Sequence, residues 1–403
     1  MAEAVGAPAS YTDSIPEASS YPVLSSIRRN LRGRVFADAK KVSIFVPMES
    51  KLFCIAGHII KVVLESPWKF SELTPEQKAL VARLAAGEDV GVESVPADRQ
   101  EQLAVNDAIM GKTAMTRELW EAMNSEEKDA FRHSLDFLQY APFEVTSGDP
   151  LFTLTVHSEP FDDSTRSAWK QVVAVDNVLP YYYGYEYRGS TIYEYFPAPD
   201  VKAGVFVQSA DATVGDYYPC PGVGARATLM QVNTSLMIQF TFASAFHNTV
   251  LLHASVTRHN GMANLFFGVS GTGKSTHSRL WHQYVPDSDL MNDDNPVIRI
   301  LDGRAVVFGT PWSGKTLCYR NVQAPIRALV RLEQDPQNSI ERLHSLQAYA
   351  SVLAACSSIR WKHSVMDAIV PTVEKLALTV PCFRLRCRPD QEAVELCKNT
   401  IEQ

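Results

Sequence analysis

The pattern of apolar and polar positions predicts strands and helices in alternation along most of the chain. Two apolar runs, KVSIFVP and KLFCIAGHIIKVVLE, are typical of β-strands and fall within residues 41–65. The sequence TPEQ at 74–77 forms a capping box with proline at the first helical position, which predicts a helix to about residue 86. Apolar residues at three- and four-residue steps predict a further helix within 116–140, and the pattern becomes β-like again over 150–210.

The second half of the chain predicts two β-hairpins, each followed by a glycine-containing segment. Before them, residues 227–248 predict either a buried helix or a strand that leads into a helix. The sequence VLLHASVT-RHNG-MANLFF then predicts a hairpin that turns at the Asn-Gly pair 260–261. Its second strand continues into GVSGTGKS and a helix that starts near Lys274. The runs LMNDDNPVIRI and RAVVFG predict a second hairpin, which turns at the Asp-Gly pair 302–303 and continues into GTPWSGKT.

The remaining sequence predicts a strand in PIRALVRLEQ, a helix in SIERLHSLQAYASVLAAC and a last strand in TVPCFRLRC. A closing helix is expected to begin at Pro389-Asp390. Together these elements predict an α/β (α+β) fold class, with a mixed β-sheet that contains antiparallel hairpins.

The length of 403 residues is enough for two or three domains, and composition suggests where they divide. Residues 1–40 are rich in Ala, Ser and Pro, which predicts a mobile tail. Residues 41–240 are expected to form an N-terminal α+β domain that recognises a substrate or a partner. Residues 241–403, which hold both glycine-containing segments, are expected to form the catalytic domain.

Composition excludes several classes of protein. The net charge of −7, without any basic run, argues against a general affinity for nucleic acid or for acidic membranes. The seven cysteines are dispersed and show no zinc-ligand spacing, which is typical of reduced thiols in a cytosol. The first residues lack the basic and apolar regions of a signal peptide, and no apolar stretch is long enough to span a bilayer. A cytoplasmic protein is therefore expected.

The spacing G-x-x-x-x-G-K-[ST], the signature of phosphate-binding loops, occurs first at 268–275. There a predicted strand ends at Phe267 and a predicted helix begins at Lys274, so backbone N–H groups and the helix N-terminus can surround an anion. Lys274 can reach the β- and γ-phosphates and Ser275 can bind Mg²⁺. A glycine-rich turn without a ligand is the alternative. The predicted nucleotide-binding residues are Gly268, Ser270, Gly271, Thr272, Gly273, Lys274, Ser275 and Thr276.

The same spacing recurs at 309–316, but with residues that suit a phosphate poorly. Pro311 has no N–H to offer, Trp312 is too bulky for close approach to a pyrophosphate, and no clear helical start follows. We therefore expect a lookalike that does not hold the nucleotide. Lys315 and Ser313 are expected to close over the substrate or the transferred phosphoryl group, and a solvated turn lysine is the alternative.

An acidic pair and a histidine flank the first loop in sequence. Asp293 and Asp294 follow the loop by some twenty residues, and a phosphate-loop enzyme needs a carboxylate to hold Mg²⁺. A kinase also benefits from a carboxylate that accepts the hydroxyl proton. An Asx-rich turn without a catalytic role is the alternative. His253, on the strand before the loop, is expected either at the site or as a hydrogen-bonded core residue.

These residues carry a resemblance to a known family. The set VLLHASVT…FFGVSGTGKSTHSRLW…LMNDDNPVIR resembles the catalytic domain of HPr kinase/phosphorylase and that of its fold relative, the ATP-dependent phosphoenolpyruvate carboxykinases. The resemblance covers roughly residues 245–320. It implies a P-loop domain in which the loop follows an antiparallel hairpin, with Mg²⁺ on Ser275 and one of Asp293 and Asp294. The other aspartate, helped by His253, would be the base.

The resemblance implies an ATP- and Mg²⁺-dependent kinase that transfers the γ-phosphoryl group to a hydroxyl, either a protein serine or a small molecule. Lys274 and Lys315 would support that transfer, and HPr kinases are oligomeric, so an assembly of identical chains is expected. The E-x-R-G-x-G-type segment of HPr kinases is absent, and GTPWSGKT stands in its region. Two alternatives remain open: a carboxykinase-like enzyme, and a non-catalytic ATP-binding sensor or scaffold.

Overall fold

The computed structural model describes most of the chain as one compact unit. The expected tail at 1–40 and Lys315 lie outside the described part. No helix in that part combines the length and apolar character needed to cross a membrane. The described residues are 47–87, 124–176, 181–198, 200–314, 316–357 and 361–403.

The fold is mixed α+β and is built on two large sheets. Within the described residues the first sheet has nine strands in the order β5-β1-β2-β6-β11-β10-β9-β8-β7. Its neighbours are antiparallel except for β2 with β6 and β6 with β11. A short parallel pair, β3 and β4, lies apart from it. The strands are β1 Met48–Ile55, β2 His58–Glu65, β3 Lys69–Phe70, β4 Ser134–Leu135, β5 Glu144–Val145, β6 Phe152–Val156, β7 Lys170–Val175, β8 Tyr181–Tyr187, β9 Ser190–Phe196, β10 Gly204–Gln208 and β11 Val214–Pro219.

The second sheet follows the order β12-β16-β17-β18-β14-β13-β15, and β20 joins it by pairing with both β18 and β19. Only two of its pairs are parallel, β14 with β18 and β18 with β20. Its strands are β12 Thr249–Leu251, β13 Ala254–His259, β14 Met262–Phe267, β15 Asp289–Asp294, β16 Val297–Leu301, β17 Arg304–Phe308, β18 Gln323–Gln334, β19 Ser339–Leu343 and β20 Cys382–Cys387.

Seven α-helices are described, and the longest separates the two sheets in sequence. That helix is buried along most of its length, and its apolar residues belong to one core cluster with both sheets. A 3₁₀ helix at Leu138–Phe143 packs beside them. The α-helices are α1 Pro75–Ala86, α2 Ser125–Arg132, α3 Ala225–Ala245, α4 Lys274–Tyr284, α5 Ser345–Ala355, α6 His363–Thr379 and α7 Gln391–Ile401.

Several predictions from the sequence are confirmed. Helix α1 begins with the capping box at Thr74, both hairpins are present, and Asn260 and Gly261 both have positive φ in their turn. Residues 227–245 are helical throughout, so the first of the two alternatives was right. Two predictions were wrong. The sequence SIERL forms strand β19, and the helix begins only at Ser345. The helix predicted within 116–140 covers only Ser125–Arg132 of the described residues and is followed by the short strand β4, while 116–123 lie outside the described part. The domain boundary near residue 240 stays a prediction.

The topology gathers several strand ends at one edge of the second sheet. Because β13 pairs antiparallel with both β14 and β15, these two strands run in the same direction. Strands β18 and β20 share that direction through their parallel pairs. The carboxyl ends of all four strands therefore lie at one edge, where open α/β sheets commonly bind ligands.

Candidate active site

The glycine-rich loop at 268–273 joins β14 to α4 at this edge. Its glycines take backbone angles that other residues rarely adopt, with φ of 155° at Gly268, 86° at Gly271 and 97° at Gly273. A Cβ atom at Gly268 would lie 2.8 Å from the backbone oxygen of Leu332 on β18. The loop can therefore pass this close to the neighbouring strand only with glycine at its first position.

Hydrogen bonds inside the loop and across to β18 fix its course. The hydroxyl of Thr272 donates to the carbonyl oxygen of Val269 at 2.8 Å, and the side-chain amide of Gln334 donates to the carbonyl oxygen of Gly271 at 3.1 Å. Among the residues that the structure describes, no side chain caps the N-terminus of α4. The N–H groups at the start of that helix thus stay available to an anion, as the helix dipole favours.

Lys274 begins the helix and is buried. Its ammonium group donates to the carbonyl oxygens of Gly268 at 3.2 Å and Val269 at 3.4 Å, so it folds back over the loop. Burial lowers the pKa of Lys274, and the negative charges of Asp294 and Asp293 partly offset that effect. The loop lysine and the acidic pair thus lie close enough to interact electrostatically. Ser275, the next residue, is exposed.

The acidic pair ends strand β15, and its two carboxyl groups have different surroundings. Asp293 lies opposite Ser255, which lies opposite Phe266, and Phe266 packs against α4. By the alternation of a β-strand, Asp293 therefore lies on the sheet face that α4 covers. Asp293 is buried, and its Oδ2 atom has no hydrogen-bond partner among the described residues.

Asp294 leaves the regular strand and is partly exposed. Its φ of 133° is unusual for a residue with a side chain, so the alternation of the strand is broken at the acidic pair. The Oδ1 atom lies 2.9 Å from Nδ1 of His253, and the Oδ2 atom accepts a hydrogen bond of 2.8 Å from the side-chain amide of Asn295. His253 lies in the short break between β12 and β13, not within a strand. Its backbone N–H donates to the carbonyl oxygen of Ala355 at 2.8 Å.

The second glycine-containing segment packs directly on the acidic pair. The N–H of Gly314 donates to the carbonyl oxygen of Asp293 at 2.5 Å, and the hydroxyl of Ser313 donates to the same oxygen at 3.2 Å. Ser313 also forms an isolated β-bridge with Asp294. The expectation that Lys315 closes over the transferred group falls on a residue outside the described part, whereas Ser313 lies at the site.

Thr310, which the sequence did not single out, supports the acidic pair through the asparagines that flank it. The hydroxyl of Thr310 accepts a hydrogen bond of 3.1 Å from the side-chain amide of Asn292 and donates to the carbonyl oxygen of Asn295 at 2.8 Å. One threonine thereby joins the residues immediately before and after the two aspartates. The run of asparagines around them was the signal in the sequence, because Asn side chains bond readily to nearby backbone.

The chemistry of the donor set suits Mg²⁺ shared with a phosphate. This ion usually keeps several waters and takes one or two carboxylates together with substrate oxygens. Within the described residues no group of three or more His, Cys, Asp or Glu could hold a metal ion, so these residues form no closed metal cage. The partnerless oxygen of Asp293 and the exposed hydroxyl of Ser275 are the kind of ligands that such a shared ion uses.

A cavity of about 580 Å³ opens beside the loop. Gly271, Gly273 and Thr276 line it from the loop and the first turn of α4. It is also lined by residues 334–336 at the end of β18 and 387–389 at the end of β20. Its volume is within the usual range for small-molecule sites.

Comparisons with known proteins give limited support for any relationship. No protein-family model matches the chain, and no curated protein matches it. The Hpr(Ser) kinase/phosphatase from Coxiella burnetii is a weak structural neighbour, with a TM-score of 0.23 and 12% sequence identity. The match covers 38% of this chain and 88% of that chain. The assignment of the site therefore rests on the geometry of the chain itself.

Proposed function

We propose that the chain is an ATP-dependent kinase that transfers the γ-phosphoryl group to a hydroxyl. One observation carries the proposal: a glycine-rich loop, its buried lysine and an acidic pair held by a histidine meet at a single edge of the second sheet. Phosphoryl transfer requires mainly the positioning of the reactants and the neutralisation of charge. These residues supply both.

The loop and the start of α4 are assigned to the phosphates. Their N–H groups would bind the phosphate oxygens, and Lys274 would release its two carbonyl partners to reach the β- and γ-phosphates. Asp293 and Ser275 would hold Mg²⁺, which would neutralise charge on the phosphates. The base and ribose would occupy the cavity beside the loop.

Asp294 is assigned to the acceptor hydroxyl. In its charged form it accepts bonds from Asn295 and His253 and keeps further lone pairs for a proton. As the hydroxyl oxygen bonds to the γ-phosphorus and the bond to the ADP oxygen breaks, the hydroxyl proton would pass to Asp294. His253 would keep the carboxylate oriented, because its Nδ1 lies within hydrogen-bond distance.

The test uses the purified chain with γ-labelled ATP and Mg²⁺, with and without lysate from its source. We expect label to move to an acceptor, and we expect Lys274→Ala to lower that transfer by at least a thousandfold while the fold is retained. Lys170→Ala removes an exposed lysine on β7 and should leave transfer unchanged. Transfer that survives in Lys274→Ala would remove the assignment.

The same assay separates the kinase from its two alternatives. A chain that binds ATP without labelling anything would favour the sensor or scaffold function. A product that appears only when oxaloacetate or bicarbonate is added would favour the carboxykinase-like function, which acts on a carboxylic acid. The identified acceptor would also define what residues 41–240 recognise, since acceptor choice depends on loops outside the phosphate site.

Replacing each aspartate in turn should distinguish the residue assigned to Mg²⁺ from the residue assigned to the acceptor hydroxyl. Asp293→Asn should weaken Mg²⁺-dependent ATP binding, because an amide is a poorer ligand for Mg²⁺ than a carboxylate. Asp294→Asn should retain ATP binding and lose most of the transfer rate, because an amide accepts no proton at neutral pH. Titration calorimetry with a non-hydrolysable ATP analogue measures ATP binding, and the transfer assay measures the rate. Equal effects of the two replacements on binding and rate would contradict the division.

A further inference from the structure

The second glycine-containing segment, residues 309–314, has a geometry unlike that of the first. The N–H of Gly309 donates to the carbonyl oxygen of Val322 at 2.9 Å, and the N–H of Gly314 donates to the carbonyl oxygen of Asp293 at 2.5 Å. The N–H of Trp312 donates to the hydroxyl of Thr310 at 3.2 Å, and Pro311 has none. Three of its backbone N–H groups are thus directed at the protein itself, not at a ligand.

The segment fits against the acidic pair with almost no spare room. A Cβ atom at Gly314 would lie 3.1 Å from Cβ of Asp294 and 3.3 Å from the carbonyl oxygen of Asp293. At Gly309, a Cβ atom would lie 2.1 Å from the carbonyl oxygen of Arg320. The glycines of this motif therefore serve close backbone packing, and this contact accompanies the strained φ of Asp294.

The other side of the segment is fixed to a distant part of the chain through Trp312. This side chain is buried, and its indole N–H donates to the hydroxyl of Tyr140 at 3.1 Å. Tyr140 in turn donates to the side-chain oxygen of Asn233 on α3 at 2.7 Å, and the same oxygen accepts from Gln139 at 2.6 Å. A continuous series of hydrogen bonds thus joins α3 and residues 138–143 to the segment.

Neighbouring contacts reinforce this connection. The ring of Trp312 packs edge-on against Phe240 of α3, with ring centroids 5.1 Å apart. Further along the chain, the side-chain amide of Asn321 donates to the carbonyl oxygen of Pro142 at 3.2 Å. Tyr319 shares a small apolar cluster with Leu84 of α1 and with Leu138. The segment is therefore fixed on both sides: to the acidic pair and to residues from the first half of the chain.

We propose that residues 309–314 position the acidic pair, and that Trp312 is a positioning residue whose orientation is set by Tyr140. The proposal rests on the kinase function only in assigning Asp294 to the acceptor. Its consequence is that a hydroxyl in the first half of the chain, remote in sequence from the phosphate loop, controls how rapidly the phosphoryl group is transferred. Nucleotide affinity should depend on it little, because the phosphates are held by the loop and by Lys274.

The experiment removes single polar groups, and Tyr140→Phe keeps the ring shape, whereas Trp312→Phe also removes the five-membered ring of the indole. Tyr140→Phe deletes the hydroxyl, Trp312→Phe deletes the indole N–H, and the double variant deletes both. Tyr195→Phe is the matched control, because Tyr195 is also fully buried and its hydroxyl bonds to α3 through Ser235 at 3.1 Å, without touching the segment. All four variants are measured for kcat and KM of ATP and for amide hydrogen exchange.

We expect Tyr140→Phe to lower kcat about fivefold to tenfold, because it removes the hydrogen bond that orients Trp312. The KM of ATP should stay within about twofold of the wild type. Tyr140→Phe should lower kcat less in the Trp312→Phe background than in the wild type, because the bond between the two side chains is already absent there. Tyr195→Phe should leave kcat unchanged, even if it lowers the melting temperature as much as Tyr140→Phe does. Equal kcat in Tyr140→Phe and Tyr195→Phe would overturn the proposal.

Hydrogen exchange separates this proposal from the kinase assignment. In Tyr140→Phe the peptide that covers 309–318 should lose protection, while the hairpin peptide 254–267 should keep it. If the wild-type chain transfers no label and Tyr140→Phe still shows this exchange pattern, the kinase function is refuted and the positioning role is retained. Unchanged exchange at 309–318 in Tyr140→Phe would refute the positioning role, whatever the chain catalyses.

Discussion

At the scale of single residues, two glycines with similar backbone angles can separate folding from nucleotide binding. Gly261 in the hairpin turn has φ of 72° and Gly271 in the phosphate loop has φ of 86°, and a Cβ atom at either position would meet open space. Alanine at either should therefore destabilise the fold by about 1 kcal/mol, through backbone strain alone. Only Gly271→Ala should also weaken ATP binding, by about tenfold. Chemical denaturation and calorimetry on both variants test this.

The backbone conformation of Asp294 lowers the stability of the fold, while its carboxylate serves the proposed reaction. Glycine tolerates the φ of 133° at this position, so Asp294→Gly should be more stable than Asp294→Ala by about 1 kcal/mol. Both variants should lose transfer. At an ordinary strand position glycine would be the less stable of the two. Denaturant unfolding of the pair decides the question, and a more stable alanine variant would contradict strain at Asp294.

At the scale of elements, local sequence signals predicted the site better than they predicted its supports. The Asn-Gly turn, the glycine spacing and the capping box each act within a few residues, and the corresponding hairpin, loop and helix α1 are present. SIERL has no such signal: its residues suit a helix, but β19 forms by pairing with β20, about forty residues later in the chain. Helix α6 even contains Pro371, which local reasoning would place at a helix end.

The second motif shows why the spacing of glycines in a loop does not by itself indicate a phosphate-binding site. Its spacing equals that of a phosphate loop, yet Gly309 and Gly314 are needed for packing against Arg320 and the acidic pair. Pro311 and Trp312 were the local signs against nucleotide binding. The partner of Trp312 is Tyr140, which precedes it by 172 residues, and no pattern in one sequence reveals a contact of that separation. Support for the site therefore became visible only in three dimensions.

At the scale of the whole molecule, the two sheets share one apolar core, and His58 lies where they meet. Its Nε2 atom lies 2.9 Å from the hydroxyl of Thr249 at the start of β12. That hydroxyl donates its own proton to the carbonyl oxygen of His247, so it accepts from Nε2–H of His58. The ring also packs edge-on against Phe240 of α3. Strand β2, helix α3 and strand β12 thus meet around one neutral imidazole.

Burial, with smaller contributions from the charges of Arg299 and His247, lowers the pKa of His58 to about 3. In the folded state His58 therefore stays neutral at pH values where the same side chain in the unfolded chain binds a proton, which begins near pH 6.5. The free energy of unfolding decreases as the pH falls through that value. Between pH 7.5 and pH 5.0 this amounts to about 2 kcal/mol.

His58→Gln keeps a side-chain donor for Thr249 and cannot titrate, so it should lose about 2 kcal/mol less than the wild type over that interval. Urea unfolding of both chains at the two pH values measures the difference, and titrating groups remote from His58 cancel between them. Parallel losses would mean that the folded chain accepts the proton at His58. The junction of the two sheets would then have to open to water at mild acid pH, which its buried contacts argue against.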